Sequence, residues 1–243
     1  CIAMLNLGKI RKGKKNLIVF LHGDGSPNSP RPGIPKKSHI RFAKELINDD
    51  NNTFLFARPG YFIRERGSSE EDRYSSGPRD AIKSTIVNYD WKNFQILAPA
   101  LQNLRKYYKP EKLILIGHSG GAYQGGTIHG KVPGLVDINI LISCPCDWEI
   151  RKKLSNGKKW ETKSQLKELK KNSPSFNYKD IDLKSLNILI VGKDDKNTAP
   201  GVSKYYYDLL KKKKLQVKLH IIDGGHGLRS MPTIGSIIKE YIN

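Results

Sequence analysis

No run of about 18 apolar residues occurs in the chain, so the sequence offers no membrane-spanning helix. Heptad, collagen and solenoid periods are also missing, which excludes fibrous and repeat architectures. Cysteine is scarce: Cys1, Cys144 and Cys146 are three, an odd number and no disulfide framework. Cys144-Pro145-Cys146 reads as too tightly spaced for an ordinary unstrained disulfide, and it lacks the partners of a zinc site. Acidic residues are outnumbered, 23 against 43 Lys and Arg, for a formal net charge of +20. The basic clusters are scattered: 11–15, Lys36-Lys37, 151–153, Lys158-Lys159, 167–171 and 211–214. No single stripe interleaves them with stacking aromatics, as a strand-binding groove would. The charge therefore predicts weak, salt-sensitive adsorption to anionic surfaces and no specific nucleic-acid partner.

What is present is a globular chain of 243 residues with 37 % hydrophobic content. A single domain of this size buries roughly 70–75 % of the surface its unfolded chain exposes, enough for a core without metal or staple. The sequence opens on Cys, not Met. A trimmed sequence is the simpler reading; a mature bacterial lipoprotein acylated on Cys1 is the other. The compartment is thus cytoplasmic, or periplasmic and lipid-anchored if Cys1 carries lipid.

Short continuous apolar runs alternate with amphipathic stretches. NLIVFL (Asn16–Leu21), 53–57, 112–116, 137–143, 186–191 and QVKLHII (Gln216–Ile222) predict strands. Helices are predicted over 37–47, 94–108, 120–129, 201–213 and 233–242. The β-α-β-α rhythm requires a mostly parallel sheet with helices on both faces. Residues 61–89 read as a long polar loop, the kind that is functional or mobile. Residues 147–185 break the rhythm with helical stretches at 149–154 and Lys163–Lys171. They predict a small helical cap inserted in a single 1–243 domain, because the stretch is below ordinary domain size.

In open α/β sheets, sites form at the carboxyl ends of the strands. Gly117-His118-Ser119-Gly120-Gly121 follows the 112–116 strand and opens a helix, so G-x-S-x-G stands in a strand–turn–helix context. A sharp elbow there would hold the Ser119 hydroxyl clear of the backbone at a helix N-terminus, as a nucleophile. A serine needs a base. His226, in Asp223-Gly224-Gly225-His226-Gly227 after the QVKLHII strand, occupies the required position. The other histidines fit less well: His118 props the turn, His39 and His129 read as helix-surface residues, His220 lies in a strand and His22 belongs to another motif. A carboxylate must orient the base. Asp195 of Gly192-Lys193-Asp194-Asp195 is preferred, with Asp194 and Asp147 as alternatives. An oxyanion needs preorganised N–H donors. The amides of Gly120 and of Asp24, in His22-Gly23-Asp24-Gly25, are the candidates.

Oxyanion loop, Ser, Asp and His in this order resemble the α/β-hydrolase fold superfamily over residues 16–243. Arg58-Pro59-Gly60-Tyr61 is similar to the motif many members carry after the second of these strands. The resemblance implies a three-layer fold, Ser119 as nucleophile, Asp195 as acid, His226 as base, a covalent acyl-enzyme, and neither cofactor nor metal. Members usually begin with further antiparallel strands, which here only 2–7 could supply. HGDG departs from the HGGG of hormone-sensitive-lipase-like esterases, so that subgroup is not supported.

The expected activity is a serine carboxylesterase acting on small or medium acyl esters. A serine peptidase or amidase of the same fold, or a non-catalytic binding module, are the alternatives. Arg64, Arg66, Glu70, Glu71, Asp72, Arg73 and Arg79 would give the long loop a polar lining suited to a small or charged substrate. Trp148 and Trp160 could line the cap or pack it onto the body, and packing is the commoner use of an aromatic.

Overall fold

The computed structural model describes residues 1–24, 37–63, 73–74, 91–155, 163–227 and 231–242. Among them, seven strands form one sheet: β1 (Met4–Leu7), β2 (Asn16–Leu21), β3 (Asn51–Phe56), β6 (Lys112–His118), β7 (Ile138–Ile142), β8 (Leu186–Gly192) and β9 (Gln216–Ile222). Their order is β1-β3-β2-β6-β7-β8-β9. All neighbours pair parallel except β1, which runs antiparallel to β3 and is the additional strand 2–7 was expected to supply. A separate antiparallel ribbon joins β4 (Phe62–Ile63) and β5 (Arg73–Tyr74) inside the segment expected to be loop.

The central strands read as unbroken apolar runs because both their faces are covered. The alternation sorts Ile from Leu. Ile18, Ile114, Ile116, Ile140, Ile188 and Ile190 pack on α1 (Lys37–Glu45) and α8 (Met231–Ile242) through Phe42, Leu46, Ile234 and Ile238. On the other face Leu17, Leu21, Leu113 and Leu115 meet α2 (Trp91–Tyr108) and α3 (Gly120–Lys131). Leu141 and Leu189 meet α7 (Pro200–Lys212) through Tyr206 and Leu210. The result is the three-layer, doubly covered parallel sheet of the α/β-hydrolase fold.

Strand β3 starts earlier than its hydropathy suggests. Asn51 and Asn52 are buried at its head, where the Asn16 amide donates to Asn51 Oδ1 at 2.9 Å and Arg11 N donates to Asn52 Oδ1 at 3.0 Å. Asn51 accepts through Oδ1, and Asn52 is paired at both ends of its amide, Nδ2 donating to Arg11 O at 2.6 Å, which lets these polar residues enter the sheet.

Between β7 and β8 lie α4 (Trp148–Leu154), α5 (Lys163–Lys171), α6 (Pro174–Asn177) and a 3-10 turn (Tyr178–Asp180). Tyr123 Oη on α3 donates to the carbonyl of Leu169, which ties α5 to the body. Trp148 is buried against Tyr123, ring centroids 6.1 Å apart, so this aromatic packs the segment onto the body. Trp160 lies outside the described residues, as do Lys36, Lys158, Lys159, Arg64, Arg66, Glu70, Glu71, Asp72 and Arg79.

Two expectations are corrected. Cys144 and Cys146 form a disulfide. The chain bends at Pro145, bringing the two Cα atoms to 5.0 Å, within the range that a bridge needs. Spacing in sequence misleads here because two residues flanking one bend can face each other. His39 and His129 are not surface residues but buried ones, and His129 Nε2 lies 3.1 Å from Ser185 Oγ.

Candidate active site

Parallel register brings five loops to one edge of the sheet. Leu21 pairs with Gly117, His118 with Ile142, Ile142 with Ile190 and Gly192 with Ile222. The residues just beyond these ends are therefore neighbours: His22 to Asp24, Ser119, Ser143, Asp195 and His226.

Ser119 stands between β6 and α3 with φ 53° and ψ −116°. A non-glycine residue in this region costs about 1–3 kcal/mol and persists only where its surroundings over-determine it. Here the Ser119 amide donates to Ile142 O at 2.8 Å, and its carbonyl accepts from Tyr123 N at 3.0 Å. The motif's glycines make room for the turn. A Cβ on Gly121 would sit 2.1 Å from the Leu21 carbonyl oxygen, and one on Gly117 would sit 2.5 Å from the Ala122 backbone.

The Ser119 hydroxyl meets its partner directly. Oγ lies 2.9 Å from His226 Nε2. The opposite nitrogen of that ring, Nδ1, lies 3.0 Å from Asp195 Oδ2 and 3.2 Å from Oδ1. Asp195 is buried at 2 % exposure. The amides of Asn197 (2.9 Å) and Thr198 (2.8 Å) donate to its Oδ1, and Thr198 Oγ1 donates to Oδ2 at 2.7 Å. Burial alone would raise this carboxyl. The hydrogen bond and charge of His226, together with the Thr198 donors, outweigh it and hold the group down to about 2. An ionised Asp195 accepting from Nδ1–H leaves the Nε2 lone pair facing Ser119, the tautomer a base requires.

The two alternative acids stand elsewhere. The Asp194 side chain is exposed. Asp147 caps α4, accepting from Ile150 N at 2.8 Å, and also accepts from Ser175 Oγ at 2.6 Å.

Gly120 is the first residue of α3, where backbone N–H groups have no partner within the helix. Gly23 runs beside Ser119: a Cβ there would lie 3.3 Å from Ser119 Cβ. Asp24 follows it and is anchored by its side chain, which forms an ion pair with the fully buried Arg58. Tyr61 Oη also reaches Asp24 Oδ1, at 3.5 Å. His22 beneath this loop donates through Nδ1 to Gly23 O at 2.8 Å and accepts at Nε2 from Arg58 N at 3.2 Å. Burial and then the Arg58 charge push its pKa down to about 3, so it is a neutral structural histidine.

Thr198 and His39 are the neighbours that sequence reasoning missed. Thr198 carried a readable signal, since a hydroxyl three residues after an Asp commonly closes a local turn onto it. His39 carried none, because its partner is 79 residues away. Among the described residues no cluster of His, Cys, Asp or Glu is arranged to hold a metal ion.

Comparison with known proteins agrees with this architecture. Residues 48–240 match the family model described as the prolyl oligopeptidase family. The acylaminoacyl peptidase of Pyrococcus horikoshii superposes with a TM-score of 0.71 at 17 % identity, covering 99 % of this chain and 41 % of its own. The chain thus spans about two fifths of that peptidase's length. A Pyrococcus furiosus esterase superposes with a TM-score of 0.63 at 15 % identity, covering 100 % of this chain and 93 % of its own. A puromycin-hydrolyzing peptidase of Mycobacterium tuberculosis gives a TM-score of 0.66 at 13 % identity, covering 95 % and 33 %. No curated protein matches the chain in sequence. With its family match spanning most of the residues and an α/β-hydrolase fold on all sides of Ser119, the chain belongs to the prolyl oligopeptidase family of serine hydrolases.

Proposed function

We propose that the protein is a serine carboxylesterase that cleaves small or medium acyl esters through an acyl-enzyme on Ser119. The observation that carries this reading is the continuous line from Ser119 Oγ through His226 to Asp195, with contacts of 2.9 and 3.0 Å. His226 Nε2 takes the hydroxyl proton as Oγ attacks the ester carbonyl. The resulting oxyanion is held by the amides of Gly120 and Asp24, each donor worth roughly 3–4 kcal/mol in such sites. Asp195 stabilises the imidazolium. The departing alkoxide receives the proton from His226, and water activated by the same nitrogen then releases the acid.

An ester asks less of this machinery than an amide, because an alkoxide departs with less help from the proton on His226 than an amine does. Similarity along 93 % of the Pyrococcus furiosus esterase supports the ester reading. A second reading, a peptidase or amidase, is favoured by the family match over residues 48–240. The domain organisation that goes with either is a single hydrolase domain with 147–185 inserted beside the sheet's carboxyl edge.

Fluorophosphonate labelling followed by intact mass tests the shared step, since such reagents modify a serine only when it is activated. One adduct on the wild type and none on Ser119→Ala is expected. No adduct on folded wild type would overturn the reading and leave a binding module. Matched acyl esters and anilides then separate the two activities: ester turnover far above anilide turnover supports the esterase, and the reverse ranking supports the peptidase.

A further inference from the structure

We propose that His118 is a positioning residue for the base, holding the His226 loop through that residue's backbone carbonyl and bracing itself on His39. This rests on the serine-hydrolase reading above. His118 Nε2 lies 2.9 Å from His226 O, and His118 Nδ1 lies 3.0 Å from His39 Nε2. A carbonyl only accepts, so His118 Nε2 carries a proton whichever of the two imidazoles owns the proton between them.

The loop needs holding. Residues 223–227 read Asp-Gly-Gly-His-Gly, and glycine loses more conformational freedom on ordering than any other residue. One side of His226 is pinned where Asp194 N donates to Gly224 O at 3.0 Å. That approach needs Gly192, where a Cβ would sit 2.2 Å from the Gly224 oxygen. His118 supplies a pin at His226 itself. The two contacts bracket the base, so the Nε2 to Ser119 distance does not depend on the glycines alone.

The placement also couples the parts of the site. His118 directly precedes Ser119, so the group that grips the base loop moves with the nucleophile elbow. His39 is buried on α1, packs tilted against His118 with ring centroids 5.1 Å apart, and lies 3.5 Å from the Gly23 amide. The histidine pair thus touches the oxyanion loop, the elbow and the base loop at once. The hydrolytic reading uses neither ring, yet both are buried and polar.

The test compares His118→Gln with His118→Asn in the full chain. The Gln amide nitrogen reaches the place of Nε2 and can donate to the carbonyl; the Asn nitrogen falls at the place of Nδ1 and cannot. Misplacing a catalytic group by about 1 Å can cost roughly 10²-fold in rate, so Asn should lower kcat by about 10- to 100-fold with KM little changed. Gln should recover kcat to within about threefold of wild type. Equal activity in the two variants, or a loss confined to KM, overturns the proposal. Should neither variant fold, nitrogen-15 NMR of the wild-type histidines decides: a protonated His118 Nε2 is required, and an unprotonated one overturns the contact. Fluorophosphonate labelling of the wild type separates this from the parent reading. If wild type labels at Ser119 while Asn and Gln behave alike, the positioning role fails and the hydrolase stands; if wild type does not label, the hydrolase reading itself has failed.

Discussion

Thr198 grips Asp195 at both oxygens: its amide donates to Oδ1 at 2.8 Å and its hydroxyl to Oδ2 at 2.7 Å. The same hydroxyl oxygen lies 3.1 Å from His226 Nδ1 and 3.1 Å from Ser143 O. A single buried side chain therefore sets the orientation of the carboxylate that meets His226. Hydrogen bonds to a charged group contribute about 1.5–3 kcal/mol, and about 1.4 kcal/mol is tenfold in rate. Thr198→Val keeps the shape and removes the hydroxyl. It should lower kcat by roughly 10- to 100-fold, with Thr198→Ser near wild type. Steady-state ester hydrolysis by the two variants reads the effect. A Val variant that matches Ser would mean that the hydroxyl is only packing.

The two adjacent aspartates give a sharper comparison. Asp195 is buried beside His226, whereas the Asp194 side chain points to solvent. Asp195→Asn would turn an acceptor into a group that favours the wrong imidazole tautomer. A loss of about 10³- to 10⁴-fold in kcat is expected, by analogy with other triads. Asp194→Asn should stay within about twofold, as surface changes usually do. Turnover of one ester by the two variants decides the assignment, and the reverse ranking would overturn it.

How far the site was legible depended on whether each signal was local. Gly117 to Gly121 sits between an apolar strand and a helix, so one window of sequence carries the strand, the strained turn and the small residues it needs. His226 was legible by position, at the end of a parallel strand in a glycine-rich turn. Asp195 was preferred with Asp194 as an alternative, because adjacent residues share nearly all local signals and differ mainly in which way the folded chain turns them. His39 was misread because amphipathicity assigns a polar residue to solvent, while here it meets His118 from a distant element. The heads of β3 and the Cys144–Cys146 bridge failed for related reasons: Asn51 and Asn52 look like loop until Asn16 and Arg11 arrive, and the cysteines look unbridgeable until Pro145 bends the chain. The central parallel sheet was legible, since strands covered on both faces leave long apolar runs, whereas the two-residue strands β4 and β5 leave none.

The bridge is testable by counting thiols. Cys1 keeps an exposed thiol, whereas Cys144 and Cys146 are bonded to each other and buried. Alkylation under denaturing conditions without reductant should add one label, and after reduction three. Three labels without reductant would show the pair to be thiols. The loop closed by this bridge is very short, so chain-entropy arguments allow only about 1.5 kcal/mol of stabilisation. Replacing both cysteines by Ala should therefore leave a folded protein, with a modestly lower urea midpoint.

Acid should destabilise the fold well before its carboxylates titrate, and the buried histidines set the window. Burial lowers the His129 pKa from 6.5 to about 4, with Asp182 only partly opposing it, and burial followed by Arg58 lowers that of His22 from 6.5 to about 3. In the unfolded chain both histidines take up a proton near pH 6.5, while in the folded state both stay neutral until far lower pH. The unfolded state thus binds more protons between these limits, and stability rises with pH across that interval. The contribution is complete above pH 6.5 and falls away as pH drops toward 4. At about 1.36 kcal/mol per pH unit, His129 alone accounts for about 3 kcal/mol. Urea unfolding at half-unit steps from pH 8 to 4.5 should show a plateau above pH 7 and a steep decline below 6. His129→Gln cannot take up the proton in either state, so its slope in the declining region should be shallower by about one proton. A variant slope equal to the wild-type slope would show that His129 gains its proton as readily folded as unfolded, and is not held neutral by burial beside Ser185.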